Sequence, residues 1–91
     1  PNRYAEQIRP FLIGLPLYAY NNQMFGLDLA LEQRILDLEV QPNNTPALVL
    51  VSERDYDSLA KLLSPRSLQL LAAPNIPIEK PGRGVRLYKI Q

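Results

Sequence analysis

The chain has 91 residues, a formal net charge of +1, 46% apolar and 21% charged residues, and contains neither histidine nor cysteine. That composition excludes imidazole acid–base chemistry, thiolate nucleophiles, disulfide staples and every metal site built on His or Cys. It also places the chain in the ordinary globular range, large enough for one domain with a single modest core that buries roughly 60 to 65% of the unfolded surface.

The longest apolar runs, Phe11 to Leu15 and Ala47 to Val51, are too short to cross a bilayer, and no signal-peptide pattern opens the chain. Pro1 takes the place of an initiator Met, which points to a piece cut from a longer protein or to a trimmed chain. The absence of Cys fits either a reducing compartment or an extracytoplasmic one that avoids unpaired thiols. The charge is segregated. Residues 1 to 59 hold four basic side chains against eight acidic ones, net −4, whereas residues 60 to 91 hold Lys61, Arg66, Lys80, Arg83, Arg86 and Lys89 against Glu79 alone, net +5. Two readings follow: a cationic surface for anionic partners, or basic C-terminal strands that pair with acidic N-terminal segments. Dispersal of six charges over 32 residues favours pairing, and no nucleic-acid partner is expected.

Tyr4, Ile8 and Leu12 recur at a spacing of four, which predicts an amphipathic opening helix. Pro10 lacks an amide hydrogen and crowds the carbonyl of Glu6, so that helix ends or kinks near Arg9. Leu17 to Tyr20 alternates with period two and predicts a strand stopped by Asn21 and Asn22, either of which can cap the next helix. Leu27, Ala30 and Leu31 form the stripe of a short helix from Met24 to about Gln33. Ile35 to Val40, with Leu36, Leu38 and Val40 alternating against Asp37 and Glu39, predicts a half-exposed strand at a sheet edge.

Gln41 to Pro46 is the strongest break in the chain. Beyond it, the uninterrupted apolar run Ala47 to Val51 is what a central strand covered on both faces requires. Ser52 or Asp55 then caps a helix whose apolar face is Tyr56, Leu59, Ala60, Leu62 and Leu63, and Pro65 ends it. Leu68 to Ala72 predicts a further strand; Pro74, Pro77 and Pro81 make an irregular stretch, with a hairpin turn at Pro81-Gly82 leading into a final strand from Val85 to Ile90. The expected architecture over residues 1 to 91 is a single small α/β sandwich, with a mixed sheet of about four to five strands covered by two to three helices and right-handed strand–helix–strand units.

Few residues carry candidate chemistry. Lys80-Pro-Gly-Arg-Gly lacks the spacing of a phosphate-binding loop and precedes a strand, so it is read as a hairpin turn. Glu53, Asp55 and Asp57 form the acidic start of a helix, a capping pattern more than a metal cluster. Asp37 and Glu39 flank Leu38 and point the same way, as paired carboxylates would, yet an exposed strand face makes them solvent contacts. Ser52, Ser58, Ser64 and Ser67 have no histidine to activate them, and no motif marks a serine–lysine pair with Lys61 or Lys80. No catalytic, cofactor or metal residue is assigned. In open α/β sheets ligands sit beyond the carboxyl ends of the strands. Tyr20, Asn21 and Asn22 after the first strand, and Ser52 with Arg54 after the central one, fall there, and Tyr20, Asn21, Asn22 and Arg54 are the candidate ligand-binding residues.

The run from Leu15 to Leu31, Leu-Pro-Leu-Tyr-Ala-Tyr-Asn-Asn-Gln-Met-Phe-Gly-Leu-Asp-Leu-Ala-Leu, is followed by a charged strand and then by Pro46-Ala-Leu-Val-Leu-Val-Ser-Glu53 and a helix. This pattern resembles the soluble C-terminal part of multi-spanning membrane glycosyltransferases that use polyprenyl-phosphate sugars, the group with protein mannosyltransferases and aminoarabinose transferases of lipid A. The resemblance covers nearly the whole chain. It implies an extracytoplasmic domain of a transferase that moves a sugar from a lipid-phosphate carrier to a lipid or protein acceptor, with the transmembrane portion of the same parent chain as its partner. The catalytic acids of that family lie in the membrane portion, so no catalytic role passes to any residue here and the fragment alone is not expected to be active.

Overall fold

The structure is a computed structural model that describes residues 3–22, 26–43, 46–74 and 84–91. Its elements run in the order α1 (Arg3–Ile8), a 3-10 turn (Arg9–Phe11), β1 (Leu17–Ala19), α2 (Leu27–Leu31), β2 (Ile35–Asp37), β3 (Ala47–Ser52), a second 3-10 turn (Glu53–Asp55), α3 (Tyr56–Leu63), β4 (Leu68–Ala72) and β5 (Val85–Ile90). The protein is α/β, with one five-stranded mixed sheet in the order β2-β1-β3-β5-β4. β1 is parallel to both β2 and β3, while β5 is antiparallel to both of its neighbours, β3 and β4. No helix among the described residues is long and apolar enough to cross a membrane.

The apolar run at 47–51 explains the layering. Successive side chains of a strand point to opposite faces. Leu48 and Leu50 therefore join Tyr4, Ala5 and Ile8 of α1 and Leu27 and Leu31 of α2 in one core cluster, whereas Ala47, Val49 and Val51 join Leu59 and Leu63 of α3 in another. All six residues of β3 are buried, the burial expected of a central strand sandwiched between layers. Burying one Leu side chain of this kind stabilises by about 1.5 to 3 kcal/mol relative to leaving it exposed.

The two faces follow from connection handedness. The step β1-α2-β2 moves one way across the sheet and β3-α3-β4 moves the other. Right-handed crossovers running in opposite directions must place their helices on opposite faces, which is where the two core clusters put α2 and α3. β5 then returns antiparallel into the gap left between β3 and β4, over the register Ala47↔Ile90 to Ser52↔Val85. Tyr4 ties α1 to this strand by donating its hydroxyl to the Val85 carbonyl at 2.7 Å.

One local expectation holds and several others are corrected. α1 ends at Ile8 as Pro10 requires, and the chain continues as a 3-10 turn with that Pro at its start. β2 stops at Asp37, short of Val40: the Leu38 amide makes one further bond, to the Ala19 carbonyl at 3.0 Å, after which the chain leaves the sheet and Val40 is 73% exposed. α2 begins after Gly26, which is in the left-handed region at φ 78, and neither Asn21 nor Asn22 caps it; Asn22 instead returns its side-chain amide to the Tyr20 carbonyl at 3.4 Å. Ser52 does not cap the third helix either, because its hydroxyl donates to the Asp55 carboxylate at 3.0 Å and Glu53–Asp55 is already a 3-10 turn; Asp55 makes no side-chain cap. Met24, Pro77, Lys80 and the expected turn at Pro81-Gly82 lie outside the described residues.

Candidate functional site: a cleft at the carboxyl ends of the parallel strands

The parallel half of the sheet brings the carboxyl ends of β1, β2 and β3 to one edge. Backbone bonds extend that edge past the strands themselves: the Tyr20 amide donates to the Leu50 carbonyl at 2.9 Å, and the Leu38 amide to Ala19. The register pairs Ala19 with Asp37, so the polar residues after β1 lie beside those after β2.

Of the described helices only α3 packs on the second face, and it sits over β3 and β5. The β1–β2 end of that face is bounded by the connection from β2 to β3, which is pinned to the far end of α3. Gln41 donates its side-chain amide to the Leu63 carbonyl at 2.9 Å, and the Arg66 guanidinium donates to the Pro42 carbonyl at 2.9 Å. Between α3 and the ends of β1 and β2 lies an open cleft of about 630 Å³, lined by Ala19, Tyr20, Asn21, Asn22, Asp37, Leu38, Glu39 and Leu62. That volume lies within the range of small-molecule sites, about 300 to 1,000 Å³.

The walls are held. The Tyr20 hydroxyl and Ser58 Oγ are 2.8 Å apart, which fixes the ring against α3. Asn21 sits in the left-handed region at φ 55, a conformation that Asn tolerates better than most side chains, and this turns the chain sharply after β1. Among the described residues, the side chains of Asn21, Asp37 and Glu39 have no hydrogen-bond partner, so their polar atoms remain available to a ligand. Among the described residues the lining contains two carboxylates, two amides and a phenol over the apolar Ala19, Leu38 and Leu62, and no Lys or Arg. No family model, curated protein or solved structure matches the chain.

The candidate residues from sequence therefore separate. Tyr20, Asn21 and Asn22 line the cleft together. Arg54 does not: its side chain is 62% exposed and lies 3.9 Å from the Asp55 carboxylate, in the 3-10 turn after β3. Ser52 is buried and engaged by Asp55. Asp37 and Glu39, a solvated pair by sequence pattern, join the lining, as does Leu62 of α3, a core leucine by the same pattern, while Ser58 of α3 meets the Tyr20 hydroxyl from behind the wall. The signal for the carboxylates was available: once β1 and β2 are parallel neighbours, their carboxyl ends must lie side by side. For Ser58 and Leu62 the signal is their i,i+4 spacing on one flank of a helix.

Other candidates disperse. Glu53 pairs with Arg86, Asp55 with Ser52, and Ser67 with Gln91, so two of the three acids and these two serines are engaged in structural contacts. The Glu53–Arg86 pair is a case of a basic C-terminal residue meeting an acidic N-terminal one, and Arg66 spends its guanidinium on the carbonyls of Pro42 and Gln91. A smaller recess of about 390 Å³ lies beside that ion pair, lined by Glu53, Tyr56, Asp57, Arg86 and Tyr88, with the rings of Tyr56 and Tyr88 5.2 Å apart.

Proposed function

We propose that this chain is the non-catalytic accessory domain of an integral-membrane glycosyltransferase, one that transfers a sugar from a polyprenyl-phosphate carrier to a lipid or protein acceptor. In this reading it is held on the extracytoplasmic face against the transmembrane portion of its own parent chain and contributes acceptor recognition or stability. The observation that carries the reading is the way the two segments that bear the resemblance meet: Leu15 to Leu31 supplies β1 and α2, Pro46 to Glu53 supplies β3, and the cleft opens where β1 ends beside its parallel neighbours. The engagement of Ser52, Ser58 and Ser67 by Asp55, Tyr20 and Gln91 supports a supporting role over a self-contained reaction.

The test is deletion of residues 1–91 from the full parent protein, with sugar transfer and protein level measured together. A loss of transfer, or of the protein itself, is expected. Transfer and protein level that are both unchanged would refute the proposal.

A further inference from the structure

We propose that the cleft between α3 and the carboxyl ends of β1 and β2 is a binding site for a neutral saccharide, with Asn21, Asn22, Asp37 and Glu39 recognising hydroxyls and the half-buried Leu62, above the buried Ala19 and Leu38, supporting an apolar face of the ring. This goes beyond the accessory-domain reading and does not need it, since a free-standing binding module would use the same cleft.

The lining chemistry selects among ligand classes. A phosphate or other anion would enter beside two carboxylates, with no Lys or Arg among the described lining residues to compensate them, an arrangement that costs binding energy. A bare metal ion needs several converging oxygens, and the described residues contain no group of three or more acidic side chains placed to hold one. A sugar ring presents hydroxyls that both donate and accept at its edge, with C–H groups on its faces. Carboxylates accept from such hydroxyls, Asn amides both donate and accept, and apolar side chains cover the ring face. The mixture found here is of that kind.

Two further observations point the same way. The polar atoms of Asn21, Asp37 and Glu39 are unspent among the described residues, whereas the neighbouring Tyr20, Gln41 and Ser52 are all engaged. The walls that carry them are braced, by the Tyr20 to Leu50 and Leu38 to Ala19 backbone bonds, by the Tyr20–Ser58 contact and by the Gln41 and Arg66 bonds that hold the connection. Unspent groups on a braced frame are what a preorganised polar site requires, because little ordering is left to be lost on binding.

The experiment is a titration of the 91-residue chain, followed by amide chemical shifts, with methyl glycosides of neutral hexoses and pentoses, with a hexose phosphate and with calcium chloride. Saturable shifts of the Tyr20 to Asn22 and Leu38 to Glu39 amides with at least one neutral glycoside are expected, with no tighter binding of the phosphate. Asn21→Gly keeps the left-handed backbone and removes the amide, and Asp37→Asn removes the charge in place; each should weaken binding about tenfold. Arg54→Ala should leave it unchanged. The proposal fails if no neutral glycoside moves these amides at millimolar concentration, if the phosphate or calcium binds there more tightly, or if Asn21→Gly with native-like shifts elsewhere binds as the parent does. None of these outcomes depends on a membrane-bound parent, so failure here leaves the deletion test standing, and the reverse.

Discussion

On one side of β3 the sheet is parallel, through β1 to the edge strand β2; on the other it is antiparallel, through β5 to the edge strand β4. Both halves share the buried central strand, yet they dispose of their polar residues differently. Parallel strands end at the same edge, so Tyr20, Asn21, Asn22, Asp37 and Glu39 collect there around one cleft. Antiparallel neighbours end at opposite edges, and on that side the polar residues are matched locally, as in Glu53 with Arg86, Ser67 with Gln91 and Gln91 with Gln69. Strand direction, more than residue type, decides whether polar groups are gathered or neutralised in place.

The largest expected effect tests the strand both halves share. Leu50→Ala deletes a fully buried side chain and should destabilise by about 2 to 5 kcal/mol in urea unfolding, whereas Leu70→Ala on the antiparallel edge, 50% exposed, should stay within about 0.5 kcal/mol. Equal costs would mean that β3 is not the common keel of the two halves. Next comes the loop that leads into β1. Ile13 holds a β-branched side chain at φ 38 while 71% exposed, so Ile13→Asn should raise stability by about 1 kcal/mol and lift the thermal midpoint; a drop would show that the exposed side chain contributes a contact.

A smaller effect sharpens the parallel side. Tyr20→Phe removes the hydroxyl that meets Ser58 and should cost about 0.5 to 1.5 kcal/mol, with faster amide exchange at Asn21 and Asn22; protection unchanged at those sites would show that the brace is dispensable. Smallest is the antiparallel counterpart. Arg86→Ala breaks a solvent-exposed pair with Glu53 and should change stability by less than about 1 kcal/mol, an effect that shrinks further as salt is added. The same variant bears on the alternative in which the basic C-terminal third binds anionic partners: steeply salt-dependent binding to a polyanion, lost with Arg86, would contradict the local matching of charge on this side.

Particular elements show how far the chain could be read in advance. Ala47 to Val51 announced a doubly covered strand because no alternative disposes of five consecutive apolar side chains in so short a run. Pro10 announced the end of α1, and Leu59 with Leu63 announced the buried face of α3, since both depend on local geometry alone. The span of β2 was overestimated because Leu38 and Val40 continue a period-two pattern, although only Leu38 is buried; burial depends on what lies above the residue, which the local pattern does not contain. Arg54 was grouped with Tyr20, Asn21 and Asn22 because both segments follow strands, but its 3-10 turn directs it to Asp55 and solvent.

Composition and local order thus determined by themselves that this is an α/β protein, where most helices and strands lie, and which chemistries its side chains cannot perform. They did so because apolar periodicity, proline geometry and the absence of His and Cys act within a few residues of each position. The insertion of β5 between β3 and β4, the separation of Arg54 from the Asn pair, and the meeting of Asn21 and Asn22 with Asp37, Glu39 and Leu62 were decided only in three dimensions. Those outcomes depend on strand order and helix placement, which are set by the balance of burial over the whole chain.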